Sequence, residues 1–397
     1  MSKDSKAGWA YKRLDELGLV RRGKSKHRPR DAAFLYGGPY PFIQTGEVKS
    51  ADLYITTYTQ TYSEEGLAQS RLWKSGTLLI TIAANIAETA ILKFDACFPD
   101  SIVGFVADPE KSDVRFIKYY IDTIKIGMRN VSKGTTQDNL SVEKLLTFKF
   151  LVPEVSAQRK IADVLSTYDD LIENNTRRIK ILEEMAQRLY REWFVHFRFP
   201  GHEKVKMVKG VPQGWEVKRL GEVCDLVMGQ SPESKFYNDQ GEGLPFHQGV
   251  TDFGDRFPVD RMYCTAENRV AERGDILFSV RAPVGRINIA NKKIIIGRGV
   301  SAIRMKTGYE AFLFSQLTEK FQEEDTIGGG TIFKSVTKDD MQRIELLMPD
   351  ETLIKKFEVA IAPIFREIEV LTLKNANLRR TRDMLLPKLV SGEVGVE

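Results

Sequence analysis

Several things are scarce in this 397-residue chain, and each scarcity closes off a class of protein. There are three cysteines, Cys97, Cys224 and Cys264, far apart and without a CxxC pair, so neither a disulfide framework nor a four-thiolate zinc site is on offer. The four histidines, His27, His196, His202 and His247, sit in unlike contexts and give no metal-ligand spacing. No metal and no cofactor is expected. Long apolar runs are missing too: the most apolar stretch, Leu78 to Ala87, is about half the length a bilayer span requires. The opening MSKDSKAGWAYKRL lacks a signal core. Nor is there a strong charge bias, since 59 basic and 54 acidic side chains leave a formal net charge of +5. These scarcities lead us to expect a soluble, reduced, cytoplasmic protein with no membrane contact. Any basic surface on it must be local.

What is abundant is repetition. Trp9 followed by Lys12-Arg13-Leu14-x-Glu16 recurs 206 residues later as Trp215 followed by Lys218-Arg219-Leu220-x-Glu222. Pro41-Phe42-Ile43-Gln44 answers to Pro245-Phe246-His247-Gln248, and Gly76-Thr-Leu-Leu-Ile-Thr81 to Gly274-Asp-Ile-Leu-Phe-Ser279. Gly134-Thr135, Leu140-Ser141 and Pro153-Glu154 meet Gly330-Thr331, Val336-Thr337 and Pro349-Asp350 at a shared offset of 196. An offset that shrinks in steps is what small surface-loop deletions leave between two copies. Residues 1–152 and 214–348 therefore read as two related domains of short strands and turns. Each carries one helix, near Asp113–Ile124 and Tyr309–Glu324.

The segments that follow, 153–199 and 349–397, are of another kind. Apolar residues recur in alternating steps of four and three at Ile161, Leu165, Tyr168, Ile172, Ile179, Leu182, Ala186, Leu189 and Trp193. The same steps give Phe357, Ile361, Ile364, Ile368, Leu371, Leu378, Leu385 and Leu389. Asn175 takes one seat in the first series; Asn375 and Arg382 take two in the second. A 3.5-residue period keeps one stripe facing a partner helix, which argues for a coiled-coil seam; two ordinary amphipathic core helices are the alternative. Ser156 to Phe194 alone would span about 60 Å. Pro363 should kink or restart the second helix, and Pro387 should end it near Leu386. Because the linker 200–213 runs straight from the first helix into the second domain, the two helices must pair antiparallel. The expected fold is α+β: two mixed, strand-rich domains at opposite ends of a long antiparallel two-helix coiled coil, with an internal pseudo-two-fold repeat.

Two similar heads on a rod would match DNA, whose major-groove faces recur about every 34 Å. Residues 21–30 supply Arg21, Arg22, Lys24, Lys26, Arg28 and Arg30 without an acid, suited to phosphates, although a solvated loop has the same composition. Lys49 adds a cation. Gln44 and Gln248 occupy equivalent places, and glutamine can pair with adenine in two hydrogen bonds, while a structural amide is the commoner role. In the second copy the candidates are Gln230, Lys235, Tyr237, Arg256, Arg281, Arg286 and Arg298.

Trp-x-x-Lys-Arg-Leu-Gly-Glu at Trp215, Gly-Asp-Ile-Leu at Gly274, the Gly-Gly-Thr turn near Gly330 and Leu-Leu-Met-Pro-Asp at 346–350 resemble the target-recognition domains of type I restriction–modification specificity subunits. The resemblance covers essentially the whole chain; its duplicated order carries it rather than any one motif. It implies a non-catalytic subunit that binds an asymmetric bipartite sequence in double-stranded DNA. It also implies docking of two N6-adenine methyltransferase subunits along the helices, and an ATP-dependent restriction–translocation subunit in the same complex. The unusually basic opening loop and Pro363 depart from the family pattern.

Three enzyme-like patterns fail on context. Gly18-Leu-Val-Arg-Arg-Gly-Lys-Ser25 fits a phosphate loop but lacks the buried strand before and the helix after. Gly297-Arg-Gly299-Val-Ser-Ala302 imitates a dinucleotide turn but leads into another strand. Glu47-x-Lys49 and Glu233-x-Lys235 have a nuclease-like spacing that so charged a chain produces by chance. Two further functions fit the same outline: the recognition subunit of a type II combined cleavage–methylation enzyme, and a coiled-coil scaffold whose heads bind peptides.

Overall fold

The structure, a computed structural model, describes residues 8–132, 140–266, 268–321 and 335–396. The repeat pairs Gly134-Thr135 and Gly330-Thr331 lie outside them, as does the Gly-Gly-Thr turn. The chain divides into two compact units, Met1–Thr176 with Thr372–Glu397, and Arg177–Leu371. Four helices are long: α1 (Val114–Ser132), α2 (Val155–Tyr190), α3 (Glu310–Lys320) and α4 (Glu351–Val390). α1 runs well past the Ile124 expected from the sequence.

In the first unit a five-stranded sheet has the order Gly18–Arg22, Ile102–Ala107, Leu78–Thr81, Thr89–Leu92, Tyr54–Ile55. All its pairings are antiparallel except the last. Leu78-Leu79-Ile80-Thr81 is buried at every position because the sheet is covered on both sides. Leu78 and Ile80 face a core shared with Phe116, Ile117 and Ile121 of α1. Leu79 faces Trp73, Phe98 and Ile43. That is why the stretch reads as a continuous apolar run instead of an alternation. Gly104 is needed where it lies, since a Cβ there would come within 2.8 Å of the Trp73 ring.

The second unit repeats this plan with four antiparallel strands in the order Cys224–Met228, Val300–Met305, Ile276–Ser279, Ile287–Ile289. Their starts follow the sequence offsets noted above. α3 closes one face with Phe312, Leu313 and Leu317. In both units a short antiparallel ladder leads into the long helix: Ala10–Arg13 with Lys149–Val152, and Glu216–Arg219 with Glu345–Met348.

Segments of α2 and α4 pair within each unit. In the first, Asn175 Nδ2 donates to Asn375 Oδ1 at 2.9 Å, and Arg382 forms an ion pair with Asp169. In the second, Arg178 pairs with Glu367 at 2.8 Å and Tyr190 meets Phe357 edge-on. In both, rising numbers on α2 meet falling numbers on α4, so the segments run antiparallel. Every apolar seat named from the heptad spacing is buried or half-buried. Leu378, Leu385 and Ile364 are among the half-buried seats, and Ile161, Leu165, Ile172, Phe357, Ile361, Ile368 and Leu371 are fully enclosed.

The expectation for Pro387 is corrected, and of the two outcomes offered for Pro363 the restart does not occur. The second helix does not restart at Pro363 and does not end near Leu386; α4 is one helix from Glu351 to Val390. Pro363 is exposed, and so is Val359, the residue whose carbonyl the proline, lacking an N–H, cannot serve as helical donor. Past Pro387 the helix continues because Leu389 and Val390 are buried in the first unit's core. It stops at Gly392, whose φ of +68° suits a glycine and whose Cα packs against the Trp9 ring.

Candidate nucleic-acid interface

In each unit three backbone segments converge at one junction, and glycine makes the approach possible. In the first unit Lys24 N donates to Phe98 O at 3.1 Å and Ile43 N to Cys97 O at 2.9 Å. A Cβ on Gly23 would lie 2.2 Å from the Pro99 carbonyl oxygen. In the second unit Gln230 N donates to Ile296 O at 3.0 Å, Gly297 N to His247 O at 2.9 Å and Gly299 N to Gln248 O at 3.0 Å. A Cβ on Gly229 would lie 2.2 Å from the Gly297 oxygen, and one on Gly299 2.5 Å from the Gln248 oxygen. The Gly297-x-Gly299 pattern is thus a turn between strands Ile294–Ile296 and Val300–Met305, where backbone must touch backbone. Gly18–Arg22 of the phosphate-loop pattern is likewise a sheet strand, and no helix follows Ser25 directly.

The basic segment 21–30 is built rather than loose. Gln69 Oε1 accepts from the Lys26 and His27 amides, at 2.5 and 3.0 Å, and Ser70 Oγ donates to Lys24 O at 2.7 Å. Arg30 grips Asp100 with contacts of 2.8 and 3.0 Å, while Arg22 donates to the Asp100 carbonyl. Arg28 donates to the carbonyls of Ser25 and His27. Arg21 and Lys26 are exposed and Lys24 is half-buried. Lys49 is exposed on the short helix Thr45–Ser50. Gln44 is exposed but engaged: its Nε2 donates to Gln60 Oε1 at 2.6 Å.

In the second unit Gln230, Gln248 and Arg298 are exposed and come together around the 297–299 turn. Tyr237 is beside them, stacked on Phe246 with ring centroids 4.8 Å apart. Arg298 N donates to Ser231 Oγ at 3.3 Å. Lys235 is exposed and paired with Glu233 at 2.7 Å. Arg281 and Arg286 are exposed at a different place, past the end of strand Ile276–Ser279, where Arg286 N donates to Ser279 Oγ.

Arg256 departs from the expectation that it faces DNA. Only 5% of its side chain is accessible; its guanidinium lies 4.6 Å from the Phe314 ring centroid and 4.1 Å from that of Phe365, with Glu183 at 3.6 Å. Burial pushes the Arg256 pKa down to about 10 against the opposing pull of Glu183. Burial raises Glu183 in turn, with Arg256 pulling it back. Arg256 is a packing cation, not an offered one. Gln60 and Gln69, by contrast, carry no distinguishing pattern in the sequence: one is an amide in the short strand Gln60–Tyr62, the other an amide at the C-terminal end of the short helix Glu64–Ala68. Among the described residues no group of His, Cys, Asp and Glu is arranged to hold a metal, and no helix is long and apolar enough to cross a membrane.

Comparison with known proteins agrees with this duplicated layout. The family model of the type I restriction modification DNA specificity domain matches residues 6–184 and again 212–369. The putative type I restriction enzyme MjaX specificity subunit of Methanocaldococcus jannaschii is 27% identical over 98% of this chain and 94% of its own length. The MjaIX specificity subunit of the same organism is 26% identical with the same coverage. The S subunit of a type I restriction–modification system from M. genitalium shares the fold, with a TM-score of 0.62 at 15% identity over 98% of both chains. With most of its length matched in two successive stretches, the chain belongs to the family of the type I restriction modification DNA specificity domain.

Proposed function

We propose that this chain is the DNA-reading, non-catalytic specificity subunit of a type I restriction–modification complex, and that each unit reads one half of an asymmetric bipartite sequence. The observation that carries this reading is the junction found in both units: one backbone arrangement, two different sets of side chains. Lys24, with Arg21, Arg22, Lys26, Arg28 and Arg30 around it, suits phosphate contact in the first unit. Gln230, Gln248, Tyr237 and Arg298 suit base edges in the second.

On this reading residues 1–152 and 214–348 are the two target-recognition domains. The helical segments 153–199 and 349–397 would form the coiled coil, with 200–213 as linker. The coiled coil would then act as a ruler for the bases left unread between the half-sites. Partner docking is supported by apolar residues that the helices leave exposed. In the first unit these are Val164, Leu171, Leu373 and Met384; in the second, Ile181, Met185, Val359 and Val370. Such residues fit the helices of two N6-adenine methyltransferase subunits. The ATP-dependent restriction–translocation subunit would join through that assembly.

Salt titration tests the reading. Affinity for target duplex should fall steeply between about 50 and 200 mM salt. Lys24→Gln should lower the slope of log affinity against log salt by about one, while Arg256→Met should leave it unchanged. Salt-independent binding would remove the DNA assignment.

A further inference from the structure

The amide pair at the first unit's junction has geometry that goes beyond general DNA contact. Gln60 lies on the strand Gln60–Tyr62, which forms a two-stranded antiparallel ladder with Tyr36–Phe42 and registers opposite Phe42. A two-stranded ribbon is one of the shapes the major groove admits. Beneath it, Phe42 stacks on Tyr62 with centroids 4.0 Å apart, which anchors the ladder in a small core of its own with Leu35 and Cys97. The ladder is also tied to the basic segment: Tyr36 OH donates to Arg30 O at 2.7 Å, and Tyr62 OH lies 3.4 Å from Ser25 Oγ.

Gln60 is held from two sides. Gln44 Nε2 donates to Gln60 Oε1 at 2.6 Å. Its neighbour Thr59 donates through Oγ1 to Glu47 Oε1 at 2.6 Å, and the other oxygen of Glu47 accepts from Gln44 N at 3.1 Å. Both glutamines are exposed, so nothing in burial demands that they pair. An exposed amide normally spends rotamer entropy when it is fixed; here that ordering is done before any ligand arrives. The bond from Gln44 uses one lone pair of Gln60 Oε1. It leaves the second lone pair and both Nε2 hydrogens free, a donor beside an acceptor. Adenine presents the complementary edge, N6–H as donor and N7 as acceptor. Guanine presents two acceptors there, one of which would oppose Oε1.

We infer that Gln60 reads an adenine in the major groove of the first unit's half-site, and that Gln44 is the positioning residue that orients it. This rests on the DNA-reading function proposed above. In the second unit the described bonds of Gln248 are made by its backbone, whose N–H donates to Asp252 at 2.8 Å, so among the described residues Gln248 has no such amide partner.

The test is genome-wide mapping of N6-methyladenine in a host carrying the full chain with its methyltransferase. The unaltered chain should yield one asymmetric two-part motif. Gln60→Ala should lower the preference for adenine at a single position of one half-site by roughly ten- to a hundredfold. Every other position should stay as it was. Gln60→Glu should shift that position toward cytosine, whose N4 amino group a carboxylate accepts. Gln44→Met should give a smaller loss at that same position, because the reader remains while its support is gone. A motif unchanged in Gln60→Ala and Gln60→Glu overturns the inference, as does a loss spread evenly over both half-sites. If the unaltered chain directs methylation to no two-part motif, the DNA-reading function itself fails, an outcome separate from any result at Gln60.

Discussion

The two junctions share a backbone and little else. In the first unit the segment after the glycine is cationic and pinned by Gln69, Ser70 and Asp100. In the second it is polar and aromatic, with Gln230, Ser231 and Tyr237 gathered around Arg298. Gly23 and Gly229 hold equivalent places, each with a carbonyl oxygen 2.2 Å from where a Cβ would stand. On the proposed function, the backbone crossing would fix where a reading surface is displayed, and the side chains what it reads. Architecture and specificity would then be separable in this chain, and variants can be chosen to move one without the other.

The crossing should be the most sensitive point. Gly23→Ala and Gly229→Ala each push a methyl into main-chain oxygen, which no rotamer change relieves. Each should cost about 3 kcal/mol of stability, the upper end for overpacking, read by thermal unfolding. Each should also abolish recognition by its own unit alone; simultaneous loss of both half-sites would show that the junctions are not independent.

The helix pair offers a second way to sharpen the comparison, because it too is unlike in the two units. Asn175 and Asn375 are buried in the first unit, and Asn375 Nδ2 also reaches Thr176 Oγ1 at 3.2 Å and Ile172 O at 3.4 Å. Asn175→Ala leaves the buried Asn375 Oδ1 without the donor that serves it and should cost about 1–3 kcal/mol. Replacing both asparagines by leucine should restore most of that stability, since an apolar pair needs no partner. A double variant as unstable as the single one would mean that packing around the site, not the amide pair, sets the cost.

Much of the fold could be read from the residues. The strand order repeats because the spaced Gly, Pro and apolar runs repeat, and the helical seam follows from its 3.5-residue period. The asparagines show where reading from repeats stops. Copy-to-copy alignment sets Asn175 against Leu371 and Ile179 against Asn375, yet the two asparagines meet because antiparallel segments pair by position along the seam, not by ancestry. Pro387 failed as a terminator because burial of Leu389 and Val390 outweighs one lost hydrogen bond. Arg256 looked like the other arginines because charge in a sequence carries no direction. Only the placement of Phe314 and Phe365 on either side shows that it points inward. Gln60 was hidden for a related reason: its partner lies sixteen residues away across a ladder whose register no local pattern announces.

One exchange tests the central claim most directly, that each unit reads its own half-site. Residues 1–152 would be replaced by the corresponding residues of another family member with a different target, and methylated adenines mapped with the same methyltransferase. The account predicts a new sequence in one half-site, with the other half-site and the spacing between them retained. A change in both half-sites would contradict it.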